Sequence, residues 1–207
     1  DCQALKMVKI SQDSELAIIE RDAFKLTSIE YFFVPPNVTQ IVEGTFSLCK
    51  KINCIVFPTD SKLQIIENDV FNESKIECLT IPSDVSYLKE GWCSGTNNLT
   101  KLIVMPNNKH FMFFDSKLIV GKTDISKDEY DDIVFACRDI KTIQIPSFIK
   151  RISSFAFSQT KIDDIFIPAN IIQICPKAFM ECINLRNVII PNDSKLKIIE
   201  RQTFKKA

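Results

Sequence analysis

The chain has 207 residues, 45% of them hydrophobic, with 26 Lys+Arg against 26 Asp+Glu and a single histidine. That apolar share is enough for a core. The zero formal charge argues against nucleic acid or an anionic membrane surface as the main partner, because both demand a basic excess. No apolar run approaches the length of about 18 residues that inserts in a bilayer.

An apolar residue followed by apolar residues three and five positions later begins at Leu5 and recurs at Ile29, Ile52, Ile76, Leu99, Ile140, Ile162 and Leu185. Successive starts lie 22 to 24 residues apart, except for the 41 between Leu99 and Ile140. Self-similarity at this period marks a solenoid. Six copies close on a proline: Pro35, Pro58, Pro82, Pro146, Pro168 and Pro191. The copies at Leu5 and Leu99 are weaker. In a strand, side chains alternate faces, so the third and fifth positions share one side and the second and fourth the other. The inward positions are apolar in every copy, from Val8 and Ile10 through Leu79 and Ile81 to Val188 and Ile190. Most are β-branched, which suits a strand. Proline cannot donate to the ladder and ends it.

Each strand run is followed by a turn and a second apolar pair, as in Val38/Ile41, Val85/Leu88 and Ile171/Ile174. A short segment with an aromatic completes the copy: Phe24, Phe46, Phe71, Phe157, Phe179 or Phe204. Its brevity predicts a single helical or 3₁₀ turn. The 41-residue unit carries an insertion over roughly 107–139. Residues 110–122 read as two β-rich runs about an Asp115-Ser116-Lys117 turn, a hairpin signal. A polar loop over 123–132 and a third apolar run over 133–137 follow, and register returns at Ile140. The whole of 1–207 reads as one repeat domain of about eight copies. The chain opens on Asp1-Cys2-Gln3 without a signal-peptide pattern and stops inside a repeat. It reads as a processed protein or an excised piece, so missing targeting signals carry no information.

The alternation of Ile-Pro-x-x-Val-x-x-Ile with Ala-Phe-x-x-Cys resembles the BspA-like (treponemal-type) leucine-rich repeats. Residues 145–152 and 177–182 carry it most clearly, and it covers nearly the whole chain. The Phe113-Phe114-Asp115-Ser116-Lys117-Leu118 stretch also looks like the family's hairpin insertion. Gly91-Trp92-Cys93 departs from the Ala-Phe pair, and the glycine common before that pair is mostly absent. The resemblance implies a right-handed leucine-rich-repeat superhelix. Its parallel sheet would lie on the concave side, with short helical or 3₁₀ turns and loops on the convex side. Family members are mostly surface proteins of mucosal bacteria and protist parasites, several implicated in adhesion. The implied location is the cell surface or the secreted fraction. No catalytic residues come with the family.

The residues themselves carry no catalytic or metal signature, and no enzyme activity, cofactor or metal is expected. His110 stands alone, without the spacing of a Cys–His or Ser–His–Asp site. Four glycines leave no phosphate-binding loop. Asp124, Asp128, Glu129, Asp131 and Asp132 lack calcium-loop spacing and read as a solvated charge run. Among the eight cysteines, Cys49 and Cys182 recur three residues after Phe46 and Phe179, which suits a small hydrophobe. None has the paired spacing of a zinc site. Cys54 and Cys78 face one side on adjacent rungs, where a disulfide is sterically demanding. Asn37, Asn72, Asn98 and Asn192 open glycosylation triplets that would be used only if the chain is secreted.

The outward strand positions carry the binding signal. Tyr31, Phe33, Cys54, Val56, Cys78, Ile103, Phe166 and Ile189 point away from the core although most are large or apolar. A contiguous exposed patch of that kind marks an interaction surface, and an aromatic pair can anchor one. The expected function is a non-catalytic binding or adhesion module for a protein or glycan ligand on a host cell, matrix or another microbe. The alternative is an intracellular scaffold or regulator of a protein partner built on the same repeat, which a reducing compartment would favour.

Overall fold

The computed structural model describes residues 2–207. They fall into two compact units, one ending at His110 and the other beginning at Phe111. The first unit contains β1 (Ile18–Ile19), β2 (Tyr31–Phe33), β3 (Gln40–Ile41), β4 (Cys54–Val56), β5 (Ile65–Ile66), β6 (Cys78–Ile81), β7 (Tyr87–Leu88) and β8 (Lys101–Val104). They form two four-stranded sheets, β2-β4-β6-β8 and β1-β3-β5-β7. Every pairing is parallel and joins equivalent residues of successive copies, such as Phe32 with Ile55 and Ile19 with Ile41. This is a parallel β-solenoid in which each copy leans only on its neighbours.

The expected inward positions are buried here: Phe32, Val34, Ile55, Phe57, Leu79, Ile81 and Leu102. Val8 and Ile10 are only half-buried, and residues 5–11 form no strand. The second apolar pair was legible as a pair but not as a sheet. Ile41, Ile66 and Val85 are fully buried, and the short strands beside them make a second ladder.

The second unit contains β9 (Met112–Phe114), β10 (Leu118–Gly121), β11 (Asp132–Ala136), β12 (Arg151–Ile152), β13 (Asp164–Phe166), β14 (Gln173–Ile174), β15 (Asn187–Ile189) and β16 (Ile198–Ile199). β9 and β10 are antiparallel about Asp115 and Ser116, both at positive φ. Lys117 N–H bonds back to the Phe114 carbonyl at 3.1 Å. A pair of left-handed residues at the tip is the geometry that matches hairpin twist. β11 pairs antiparallel with β10 and parallel with β12, so one six-stranded sheet runs β16-β14-β12-β11-β10-β9. β13 and β15 form a separate parallel pair. Residues 140–146 form no strand; Asp163 N–H bonds Lys141 C=O in that run, and β12, later in the same copy, pairs with β14.

The expected helical turns are absent: no helix or 3₁₀ segment occurs among the described residues. The hydrogen bonds explain why. Ala23, Lys25 and Thr27 donate to carbonyls three residues back, at Glu20, Asp22 and Phe24. The intervening donors Asp22, Phe24 and Leu26 instead bond Glu43, Thr45 and Ser47 of the next copy. A helix needs every donor internally; here every second one is spent on stacking. The chain stays level by placing left-handed residues two before and two after the aromatic: Asp22 and Leu26, Gly44 and Leu48, Asp69 and Glu73, Lys177 and Glu181. The aromatics then stack, with ring centroids 5.5 Å apart for Phe24–Phe46, 5.9 Å for Phe46–Phe71 and 5.0 Å for Phe157–Phe179. Where Cys93 replaces the aromatic, Trp92 packs edge-on against Phe71 and is itself buried.

Gly91 and Gly95 flank Cys93 at those two left-handed positions. At Gly95, with φ +73°, a Cβ would stand 2.8 Å from Glu73 Cγ and 3.0 Å from the Glu73 backbone nitrogen. Gly95→Ala is therefore expected to destabilise the protein by about 1–2 kcal/mol. A urea melt at fixed temperature checks this; an unshifted midpoint would contradict it.

Candidate functional site

The outward face of β2-β4-β6-β8 gathers six of the residues singled out from the sequence. Tyr31 pairs with Cys54 and Phe33 with Val56 across β2 and β4. Cys54 pairs with Cys78 across β4 and β6, and Ile103 lies beside Thr80 across β6 and β8. Tyr31 is 51% exposed and Ile103 59% exposed. Phe33, Cys54, Val56 and Cys78 are half-buried among them. Phe166 and Ile189 are register partners on β13 and β15, 50% and 52% exposed. They form a smaller apolar pair in the second unit.

Beside β2 lies a groove of about 700 Å³, walled by Met7, Val8, Ile10, Tyr31 and Phe33 and rimmed by Lys6, Lys9, Gln12 and Glu30. It exists because residues 5–11 run alongside β2 without pairing to it. The aromatic pair at Tyr31 and Phe33 is thus both the outer strand of a sheet face and one wall of a cleft. The cleft was not legible in the sequence, where residues 5–11 read as a weaker copy of the strand.

A second groove, of about 580 Å³, lies in the second unit between Met112, Tyr130 and Phe148. Lys150 crosses it, bonded to Glu129 at 2.7 Å and paired with Asp131 at 3.4 Å. Hydrogen bonding to Glu129 raises the Lys150 pKa. The sequence does hold a signal for this site. Phe148 occupies the turn position that is Asn37, Asp84 or Asn170 in other copies. Asn170 donates to the carbonyls of Ser147 and Ile149, reaching back one copy. An aromatic at that position makes no such bond and instead meets Phe114 edge-on.

The acidic loop departs from the expected solvated run. Asp124 is exposed, and its pKa is lowered by hydrogen bonds from Ser126. Asp131 and Asp132, by contrast, are buried. Asp131 accepts bonds from the Thr123 backbone and hydroxyl at 2.9 Å. Asp132 opens β11, and parallel register sets Arg151 opposite it. Arg151 donates to Asp132 Oδ2 at 2.6 Å and Ser153 Oγ donates to the same oxygen at 2.8 Å. Burial pushes the Asp132 carboxyl up; Arg151 and Ser153 pull against that. These two acids are structural. Arg138 was not singled out, yet it is buried, its guanidinium 4.1 Å over the Phe135 ring and bonded to the Ala156 carbonyl.

Cys2, Cys49, Cys54, Cys78, Cys137, Cys175 and Cys182 are free thiols. Cys49 and Cys182 do more than fill space: their S–H groups donate to the Phe24 and Phe157 carbonyls of the preceding copy at 3.0 and 2.9 Å. Burial pushes both thiols above their ordinary range. Burial also lifts Cys175 to about 12 and Cys137 to about 11, so none of these is a ready nucleophile. His110 is half-buried, its backbone held by the Asn108 side chain at 2.8 Å. Of the four glycosylation triplets, Asn192 is exposed while Asn72 and Asn98 are half-buried. The Asn37 amide is engaged, donating to the Ser14 carbonyl and accepting from Lys62.

Solved structures with the same fold share little sequence. The pneumococcal vaccine antigen PcpA aligns with a TM-score of 0.78 at 22% identity, over 89% of this chain and 45% of its own. A leucine-rich cell surface protein from Faecalibacterium prausnitzii aligns with a TM-score of 0.73 at 19% identity, over 91% of this chain and 55% of its own. A leucine-rich repeat protein from Eubacterium ventriosum aligns with a TM-score of 0.66 at 17% identity, over 94% and 62%. This chain therefore spans about half the length of the solved structures it matches. A comparison with curated proteins finds no match. The family model of the BspA type leucine rich repeat region matches in six copies over residues 1–120 and 123–207. That match covers nearly every residue, and the chain belongs to the BspA-type leucine-rich repeat family.

Proposed function

We propose that this chain is a non-catalytic binding module of a cell-surface or secreted protein, using the outward face of β2-β4-β6-β8 to adhere to a protein ligand. One observation carries the reading: Tyr31, Phe33, Val56 and Ile103 share that face, with Tyr31 and Ile103 more than half exposed. An ordered sheet presents these side chains rigidly, so little entropy is lost on docking. Two neighbouring aromatics beside an apolar cleft suit a protuberant apolar side chain of the partner. The charges at the rim are mixed, Lys6, Lys9 and Glu30, so the attraction is not a matter of net charge. The solved structures of similar fold include a cell surface protein and a vaccine antigen, which supports a surface location.

The test is a matrix-protein and host-surface binding array with the intact chain, followed by two variants. Phe33→Glu is expected to weaken binding by about 2 kcal/mol, roughly thirtyfold in Kd, with an unchanged thermal melt because Phe33 lies outside the core. Phe166→Glu probes the second unit in the same way. Undiminished binding by both variants would move the site away from the strand faces.

A further inference from the structure

We propose that Cys54 and Cys78 form a redox-active dithiol on the outward sheet face, closing to a cross-strand disulfide when a small-molecule disulfide is available as oxidant. The inference does not depend on what that face binds.

The register carries the argument. Cys54 on β4 and Cys78 on β6 are direct partners in a parallel pair. Partnered strands lie about 4.8 Å apart, inside the range of about 4.4–6.8 Å that a disulfide's Cα atoms require. Both side chains point to the same face, because direct register partners in a parallel pair share a side of the sheet. Each thiol is half-buried rather than sealed, and five of the other six cysteines are buried. Closing the bridge needs only that the two side chains lean together along the ladder direction. Parallel Cβ vectors do not converge unaided, so the disulfide is of the reducible kind.

The chemistry is two exchanges. A thiolate of the pair attacks one sulfur of R–S–S–R, breaking that bond, forming a mixed disulfide and expelling RS⁻, which takes up the proton lost by the protein thiol. The second thiol then ionises and displaces the remaining RS⁻, which is protonated in turn. Two protein thiols are oxidised to one disulfide, and the small disulfide is reduced to two thiols. Burial, and then the neighbouring Cys78, push the Cys54 thiol up to about 11. Exchange through Cys54 is accordingly slow near neutrality and accelerates as the solution is made alkaline.

The experiment uses the intact chain and oxidised glutathione under native, mildly alkaline conditions. Acid quenching, alkylation and tryptic digestion follow. Cleavage at Lys51, Lys62, Lys75 and Lys89 places Cys54 in the peptide 52–62 and Cys78 in 76–89. The expected product is those two peptides joined, with the pair about 2 Da lighter than its reduced sum. Cys54→Ser is expected to leave Cys78 as a glutathione adduct, and Cys78→Ser the converse. Mild dithiothreitol should reopen the bridge before the fold melts. Separate adducts on both cysteines of the wild type, unreacted thiols at both, or a link that forms only in denaturant would each overturn the proposal.

Discussion

Ile81→Asp is expected to unfold the first unit, while Thr80→Asp on the neighbouring position leaves it folded. Ile81 ends β6 on the inward side and is fully buried; Thr80 faces outward beside Ile103 and is half-exposed. An isoleucine side chain contributes about 1.5–3 kcal/mol by burial. An unpaired charge in its place adds roughly 3–5 kcal/mol. Together these approach the whole stability of a domain, about 5–15 kcal/mol. Thr80→Asp puts the same charge in contact with water and removes no core contact, so the cost stays within about 1 kcal/mol. Circular dichroism melts of the two variants decide the matter. Because strand periodicity is two, a register wrong by one residue would exchange the two outcomes. A cooperative, wild-type-like melt for Ile81→Asp would refute the assignment of faces.

Arg151→Ala is expected to cost about 3 kcal/mol or more. Arg151 is partly open to solvent, but the carboxylate it serves is not: the Asp132 side chain is 3% exposed against 36% for Arg151. Removing the guanidinium leaves a buried anion with only Ser153 donating to it. The sign of the pH dependence follows from the direction of the shift. Burial raises the Asp132 pKa above its ordinary 3.8, so the folded state takes up a proton more readily than the unfolded chain. The stability tied to that proton is present below about 3.8 and is lost as the pH rises through the folded value. Without Arg151 the folded value rises further. The penalty of Arg151→Ala should therefore be smaller at about pH 4 than at about pH 8. Asp132→Asn in the same background should recover part of it, since it removes the charge that lost its partner. Equal melting points for wild type and Arg151→Ala at neutral pH would show that the pair contributes nothing.

Much of the architecture could be read from the chain alone, because a repeat states its register several times over. Leu79 and Ile81 inward, Cys78 and Thr80 outward, is one instance of a pattern confirmed at Phe32, Ile55 and Leu102. The candidate face was legible for the same reason, since Tyr31, Phe33 and Val56 lie on the side that alternation leaves outside. The segments that carry the stacked aromatics were not. Their sequence, a small residue and an aromatic, fits a 3₁₀ turn locally. Only the neighbouring copy shows that every second donor, such as Phe24 N–H to Thr45 C=O, is spent across the stack. Asp131 and Asp132 followed the same logic: five acids in nine residues read as solvated until Thr123, Arg151 and Ser153 close over two of them.

The sequence by itself determined the solenoid, its period, the inward columns of the central copies and the outward apolar face, all of which follow from spacing that recurs copy after copy; at the chain's end Ile190, read as inward, is exposed. The tertiary structure decided the cleft beside β2, the buried Asp132–Arg151 pair and the groove under Phe148. Each of those depends on where a second copy's backbone lies, and a single copy's sequence does not specify its neighbour's position.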